Sequence, residues 1–123
     1  MKKRLLLILF VSFILVACSE EKTLEFTGEG ENWSVTYIAH IHSSDSESID
    51  YTIRYVGDEP GTKTINFNLG NSSETGRTLD TETSSLTGNG NRCSGCSVTQ
   101  ENDEIKATIT WNGKSETFTL TSD

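Results

Sequence analysis

From Thr23 onward apolar side chains recur at every second position. That period restricts the fold more than any other feature, because only a strand sends alternate residues to opposite faces. Leu24 and Phe26 open the pattern, and Trp33, Val35, Tyr37, Ala39 and Ile41 continue it, alternating with Ser34, Thr36, Ile38, His40 and His42. Ile49, Tyr51, Ile53 and Tyr55 repeat it until Gly57-Asp58-Glu59-Pro60-Gly61 breaks it, Pro60 being suited to a turn and unsuited to a central strand. Ile65, Phe67 and Leu69 predict a further strand, ending at the turn formers Gly70-Asn71-Ser72-Ser73. Ile105, Ala107, Ile109 and Trp111 lead to Asn112-Gly113, after which Phe118 and Leu120 return. Asn-Gly suits the two positive-φ positions of a type I′ turn, so this stretch is a hairpin.

The stretch between Glu74 and Asn91 is mostly polar. Leu79, Thr81 and Thr83 suggest a weak edge strand there, and Gly88-Asn89-Gly90-Asn91 suggests a mobile loop. Seven or eight short strands without a helical crossover predict an all-β fold: an antiparallel two-sheet sandwich of immunoglobulin-like size, with a small barrel as the other architecture. The antibody-type spacing of cysteine, tryptophan and cysteine is absent, so size and architecture are implied and not that family. Trp33 and Trp111 fall on apolar faces and are expected in the core.

A chain of 123 residues allows one small domain, and a formal net charge of −8 excludes a nucleic-acid binder that works through a basic face. The few positive charges are unevenly placed. Lys2, Lys3 and Arg4 precede an apolar run from Leu5 to Val16, interrupted by Ser12, and Ala17 then precedes Cys18. This is the layout of an export signal. Twelve residues span about 18 Å as a helix, short of a hydrocarbon core of roughly 30 Å, so cleavage is expected rather than a permanent span.

The stretch Leu15-Val16-Ala17-Cys18 resembles the lipobox of bacterial lipoproteins, in which the cysteine thiol receives a diacylglyceryl group and a dedicated peptidase cuts just before it. The resemblance implies a signal peptide over 1–17, a lipidated N-terminus and short tether over 18–23, and a β-sandwich domain over 24–123. Cys18 would then be the lipidation site, and two acyl chains suffice for stable anchoring where one is marginal. The implied location is the extracytoplasmic face of a cell membrane. Loss of residues 1–17 removes three of the ten cations and no carboxylate, which takes the charge from −8 to −11. In its plan of lipobox, short linker and Trp-containing β domain the chain also resembles small lipoproteins of Gram-positive bacteria. Ser19 is equally compatible with outer-membrane sorting in a two-membrane cell, which leaves the envelope type open.

With Cys18 assigned to lipid, Cys93 and Cys96 remain, and outside the cytoplasm an even pair is most simply a disulfide. Such a bridge would pin the loop after Gly90 to a strand starting at Ser97-Val98-Thr99. A thioredoxin-like role needs the first cysteine at a helix N-terminus within a βαβ pattern, and the sequence offers neither. His40 and His42 lie two apart, so on a strand they share the face opposite Trp33, Val35 and Tyr37. An alternative follows: if that face approaches Cys93 and Cys96, the four side chains make a set for zinc or copper in a metal-handling or thiol-redox protein. A two-histidine site drawing on Asp45 or Glu47 is a lesser version of the same idea. Exposed histidines near a strand end are the plainer expectation.

Other constellations fail on spacing. Asp45, Glu47 and Asp50, and again Asp58 and Glu59, lack the ligand pattern of an EF-hand. Glu29 and Glu31 have no second partner to make a catalytic pair, and Gly28-Glu29-Gly30 lacks the third glycine of a dinucleotide fingerprint. No nucleophile elbow or phosphate loop occurs. The sequence therefore predicts a non-enzymatic envelope lipoprotein without a cofactor, whose β-sandwich contacts an envelope protein or polymer and no nucleic acid.

Overall fold

The alternation is realised as eight strands in the computed structural model, which describes residues 21–122. They are β1 (Lys22–Glu29), β2 (Trp33–Ser43), β3 (Ser46–Tyr55), β4 (Thr64–Leu69), β5 (Ser72–Thr78), β6 (Ser85–Ser94), β7 (Ile105–Trp111) and β8 (Lys114–Leu120). One sheet has the order β1-β2-β3-β6 and the other β5-β4-β7-β8, with every pairing antiparallel. The expected two-sheet sandwich is therefore the fold. The lipobox and the export signal lie outside the described residues.

Each strand buries the residues its period selects. Phe26, Trp33, Val35, Ala39 and Ile53 from the first sheet meet Ile65, Leu69, Ile109 and Leu120 from the second, all of them buried. Each such aliphatic or aromatic side chain contributes roughly 1.5–3 kcal/mol on burial, which is what holds two sheets that share few backbone hydrogen bonds. Trp33 and Trp111 face each other across the gap with ring centroids 5.3 Å apart and planes at 76°. Both are core residues, as their positions in the sequence predict.

At one side the sheets are stitched together by Thr27 and Thr121, whose backbones exchange hydrogen bonds of 2.9 and 3.0 Å. At the other side β5 and β6 run as free edges, and the hydroxyl of Tyr51 on β3 donates to the carboxylate of Glu74 on β5. One end of the sandwich carries the β3–β4 loop, closed by Lys63. This lysine is only 3% exposed, and its Nζ donates to the carbonyls of Glu59, Pro60 and Gly61 while lying 4.4 Å from the centre of the Tyr55 ring. Pro60 thus sits in a turn, as expected.

Three local expectations are corrected. Gly70-Asn71 alone makes the turn, and Ser72 and Ser73 already belong to β5. Leu79, Thr81 and Thr83 form no strand. The Asp80 carboxylate accepts the backbone N–H groups of Glu82 and Thr83, at 2.8 and 3.1 Å, and folds 80–84 into a turn while Leu79 alone reaches the core. Gly88-Asn89-Gly90-Asn91 is no loop but the middle of β6, hydrogen-bonded to β3. A Cβ at Gly88 would lie 2.5 Å from the Tyr51 hydroxyl oxygen, so the glycine is there to let β6 pass over that ring.

Candidate functional site

The face of the first sheet turned away from the core holds most of the chemistry singled out in the sequence. His40 and His42 project from β2 onto this face, Ser48 and Asp50 from β3, and Arg92 from β6. His40 stands opposite Ser48, and Ser48 opposite Arg92, so one row crosses three strands. Two register shifts bracket the row, one between Ile41 and Ser43 and one between Ser48 and Asp50. Bulges of this kind re-aim side chains at the ends of sheets.

His40 Nε2 lies 2.8 Å from Asp50 Oδ2, and His42 Nε2 lies 3.0 Å from Ser48 Oγ. His42, Ser46, Glu47, Ser48, Arg92, Cys93 and Ser94 wall an open depression of about 360 Å³. A second depression of about 640 Å³ adjoins it, sharing Ser48 and Arg92 and adding Asp50, Asn89 and Gly90. Ser48 and Arg92 are therefore the boundary between two hollows on one surface.

Cys93 and Cys96 are joined as a disulfide, with Cα atoms 6.1 Å apart. The pairing expected from the sequence is present, but its structural role differs. Ser97-Val98-Thr99 is not a strand, because the chain leaves β6 at Ser94 and runs irregularly to β7. The bridge instead closes a bend whose Cys96 N–H donates to the Asp45 carbonyl at 2.9 Å, tying the end of β6 to the β2–β3 turn. Beyond it the Glu47 carboxylate accepts the Thr99 N–H at 3.0 Å and the Thr99 hydroxyl at 3.1 Å. The segment so held overhangs a cavity of about 460 Å³ bordered by Tyr37, Ile49, Val98 and Ile105. Burial, with a smaller contribution from the charge of Glu47, pushes the Tyr37 hydroxyl up to about 12.

Of the four residues proposed together for zinc or copper, the structure brings His42 and Cys93 to one depression and leaves His40 turned to Asp50. The two sulfurs are bonded to each other and offer no thiolate, and among the described residues no group of three or more His, Cys, Asp or Glu side chains is placed to hold a metal ion. The lesser two-histidine set is not assembled either: Asp45 accepts from the Ser43 hydroxyl and Glu47 is engaged by Thr99. Cys93 belongs to a strand and not to a helix N-terminus, the position that lowers a thiol pKa in dithiol oxidoreductases. Glu29, Glu31, Asp58 and Glu59 are exposed residues of turns or strand ends.

Arg92, Ser46, Ser48 and Ser94 were invisible as site residues in the sequence. Nothing marks one serine among many, and the strand carrying Arg92 is too rich in glycine and asparagine to declare itself. The alternation on β2 was the available signal, since it fixes which face the histidines share. Protein-family models, curated proteins and solved structures give no match to the chain.

Proposed function

We propose that the protein is an extracytoplasmic lipoprotein, held to a membrane through lipidated Cys18, which displays a rigid β-sandwich as a non-enzymatic interaction module for an envelope protein or polymer. The observation that carries this reading is where the sandwich begins. β1 starts at Lys22 and its first apolar contact is Leu24, so the folded domain follows Cys18 after a tether of only a few residues. Among the described residues the core runs from Leu24 to Leu120. The apolar run over 5–16 that precedes it has the layout of an export signal that is removed. The Cys93–Cys96 bridge supports the same compartment, because disulfides persist outside the reducing cytoplasm.

The test is fractionation of cells that express the full chain or its Cys18→Ser variant. The wild type should remain with the membrane after alkaline carbonate washing, and the variant should lose its membrane association or accumulate with residues 1–17 uncut. A wild type released into the soluble fraction would overturn the reading, and so would a variant processed and retained like the wild type.

A further inference from the structure

Seven cations follow residue 20, and three of them are held within the structure. Lys114 pairs with Glu59, Arg77 pairs with Glu74 at 2.7 Å, and Lys63 is buried against three carbonyls. Among the described residues no carboxylate is paired with Lys22, Arg54, Arg92 or Lys106, and of these four Arg92 is the one that lines the two depressions. Its guanidinium is exposed on the edge strand β6, at the wall shared by the two depressions. An unpaired arginine in so acidic a chain is a local reversal of charge.

The groups around it are mostly donors, with the Glu47 carboxylate also lining the depression. Ser46, Ser48 and Ser94 bring hydroxyls to the same depression, and His42 brings an imidazole. In the tautomer where Ser48 donates to Nε2, the His42 Nδ1–H is left to serve a ligand. The carboxylates that line the two depressions are occupied, Asp50 by His40 and Glu47 by the Thr99 N–H and hydroxyl, which lowers their repulsion toward an incoming anion. Guanidinium presents a planar fork that matches the oxygens of phosphate, and with the Ser46 and Ser94 hydroxyls and the His42 N–H it supplies more donors than the roughly four acceptor sites of a carboxylate can use.

We propose that this corner of the first sheet, formed by Arg92, His42, Ser46, Ser48 and Ser94, binds a phosphate group carried as a monoester or diester. The site lies at the end of the sandwich where β1 begins, since Lys22 pairs with Ile41 next to His40 and His42. Phosphate at that place has two sources, the headgroup of a membrane lipid or a phosphate borne by a soluble molecule or polymer. The proposal gives the interaction-module reading a ligand chemistry and rests on it only for that purpose, because phosphate binding by the sandwich does not require lipidation.

The experiment is a titration of the full chain in a non-ionic detergent with glycerol 3-phosphate, followed by the ring resonances of the two histidines. The wild type should bind saturably in the millimolar range, moving the His42 resonances more than those of His40. Arg92→Gln and His42→Gln should each weaken binding about tenfold, equivalent to about 1.4 kcal/mol. Lys106→Gln, on the outer face of the opposite sheet, should change nothing. Wild-type binding to phosphatidylglycerol vesicles above phosphatidylcholine vesicles, lost in Arg92→Gln, assigns the lipid headgroup. Saturable binding of glycerol 3-phosphate without that difference assigns a soluble or polymer-borne phosphate. No saturation, an Arg92→Gln variant that binds like the wild type, or a Lys106→Gln variant weakened as much as Arg92→Gln would overturn the proposal. Failure of Cys18→Ser to leave the membrane would affect the anchoring proposal and leave this one standing.

Discussion

The hydroxyl of Tyr51, from the centre of one sheet, donates to the carboxylate of Glu74 on the edge strand of the other. Arg77 holds the same carboxylate from the opposite side at 2.7 Å, so three side chains latch the flank of the sandwich where β5 and β6 are free edges. Burial first, and then the bond to Glu74, raise the Tyr51 hydroxyl from 10.0 to about 12. The Tyr51 hydroxyl, helped by Arg77, holds the Glu74 carboxyl below the usual glutamate range against the opposing effect of desolvation.

The signs of these two shifts give a pH window. A tyrosine whose folded value is raised contributes stability that is complete below pH 10 and is lost as the pH climbs toward 12. A glutamate whose folded value is lowered contributes stability present above its ordinary value and lost as the pH falls through the folded one. Tyr51→Phe is expected to cost about 1 kcal/mol at neutral pH, a modest figure because Glu74 is partly exposed to screening solvent. It should also remove part of the stability loss on the alkaline side. Denaturant unfolding at several pH values checks both, and equal pH dependence in wild type and variant would refute the latch.

Reducing Cys93–Cys96, or replacing both with serine, opens a loop of sequence separation 3. The chain-entropy relation assigns so short a loop about 2 kcal/mol. The loosening should be local, because the bend ties the β2–β3 turn and the segment leading to Thr99 while the core lies elsewhere. Amide hydrogen exchange should accelerate at Cys96 and Thr99 on reduction and stay slow at Phe67 and Ile109. Uniform acceleration would mean that the bridge supports the whole fold.

The Asn112-Gly113 turn has both residues at positive φ, 46° and 73°. Gly113→Ala places a Cβ in the left-handed region and should destabilise the domain by about 1 kcal/mol. The change is read from the denaturation midpoint. An unchanged midpoint would mean that the hairpin relaxes into another turn.

Lys63→Met keeps the length of the side chain and removes its charge and donors. The carbonyls of Glu59, Pro60 and Gly61 would lose their shared partner, and a cost of about 2 kcal/mol is expected. The exchange of the 57–62 amides should rise with it. Lys63→Arg tests whether the ammonium's compact shape matters, since guanidinium cannot reproduce three convergent bonds from one atom.

The sequence made the buried faces of β1 to β4, β7 and β8 legible because each carries an uninterrupted period of two, and a one-residue slip would have exposed every core side chain. β5 and β6 escaped for a physical reason. Both are edge strands with few apolar partners, and Gly88 is required by the passage of Tyr51 and not by a turn. The site was half legible in the same way: alternation placed His40 and His42 on one outer face, and parity of the cysteines paired Cys93 with Cys96. Arg92 and the serines around it depend on the pairing of β6 with β3 and on two register shifts, which are properties of the assembled sheet.

The central proposal is that this sandwich hangs from a lipid on Cys18, and the N-terminal peptide of the protein purified from bacterial membranes tests it most directly by mass. The account predicts a peptide that begins at Cys18 and carries a diacylglyceryl group with two acyl chains such as palmitate. A peptide that retains residues 1–17, or one that begins elsewhere with an unmodified Cys18, would contradict it.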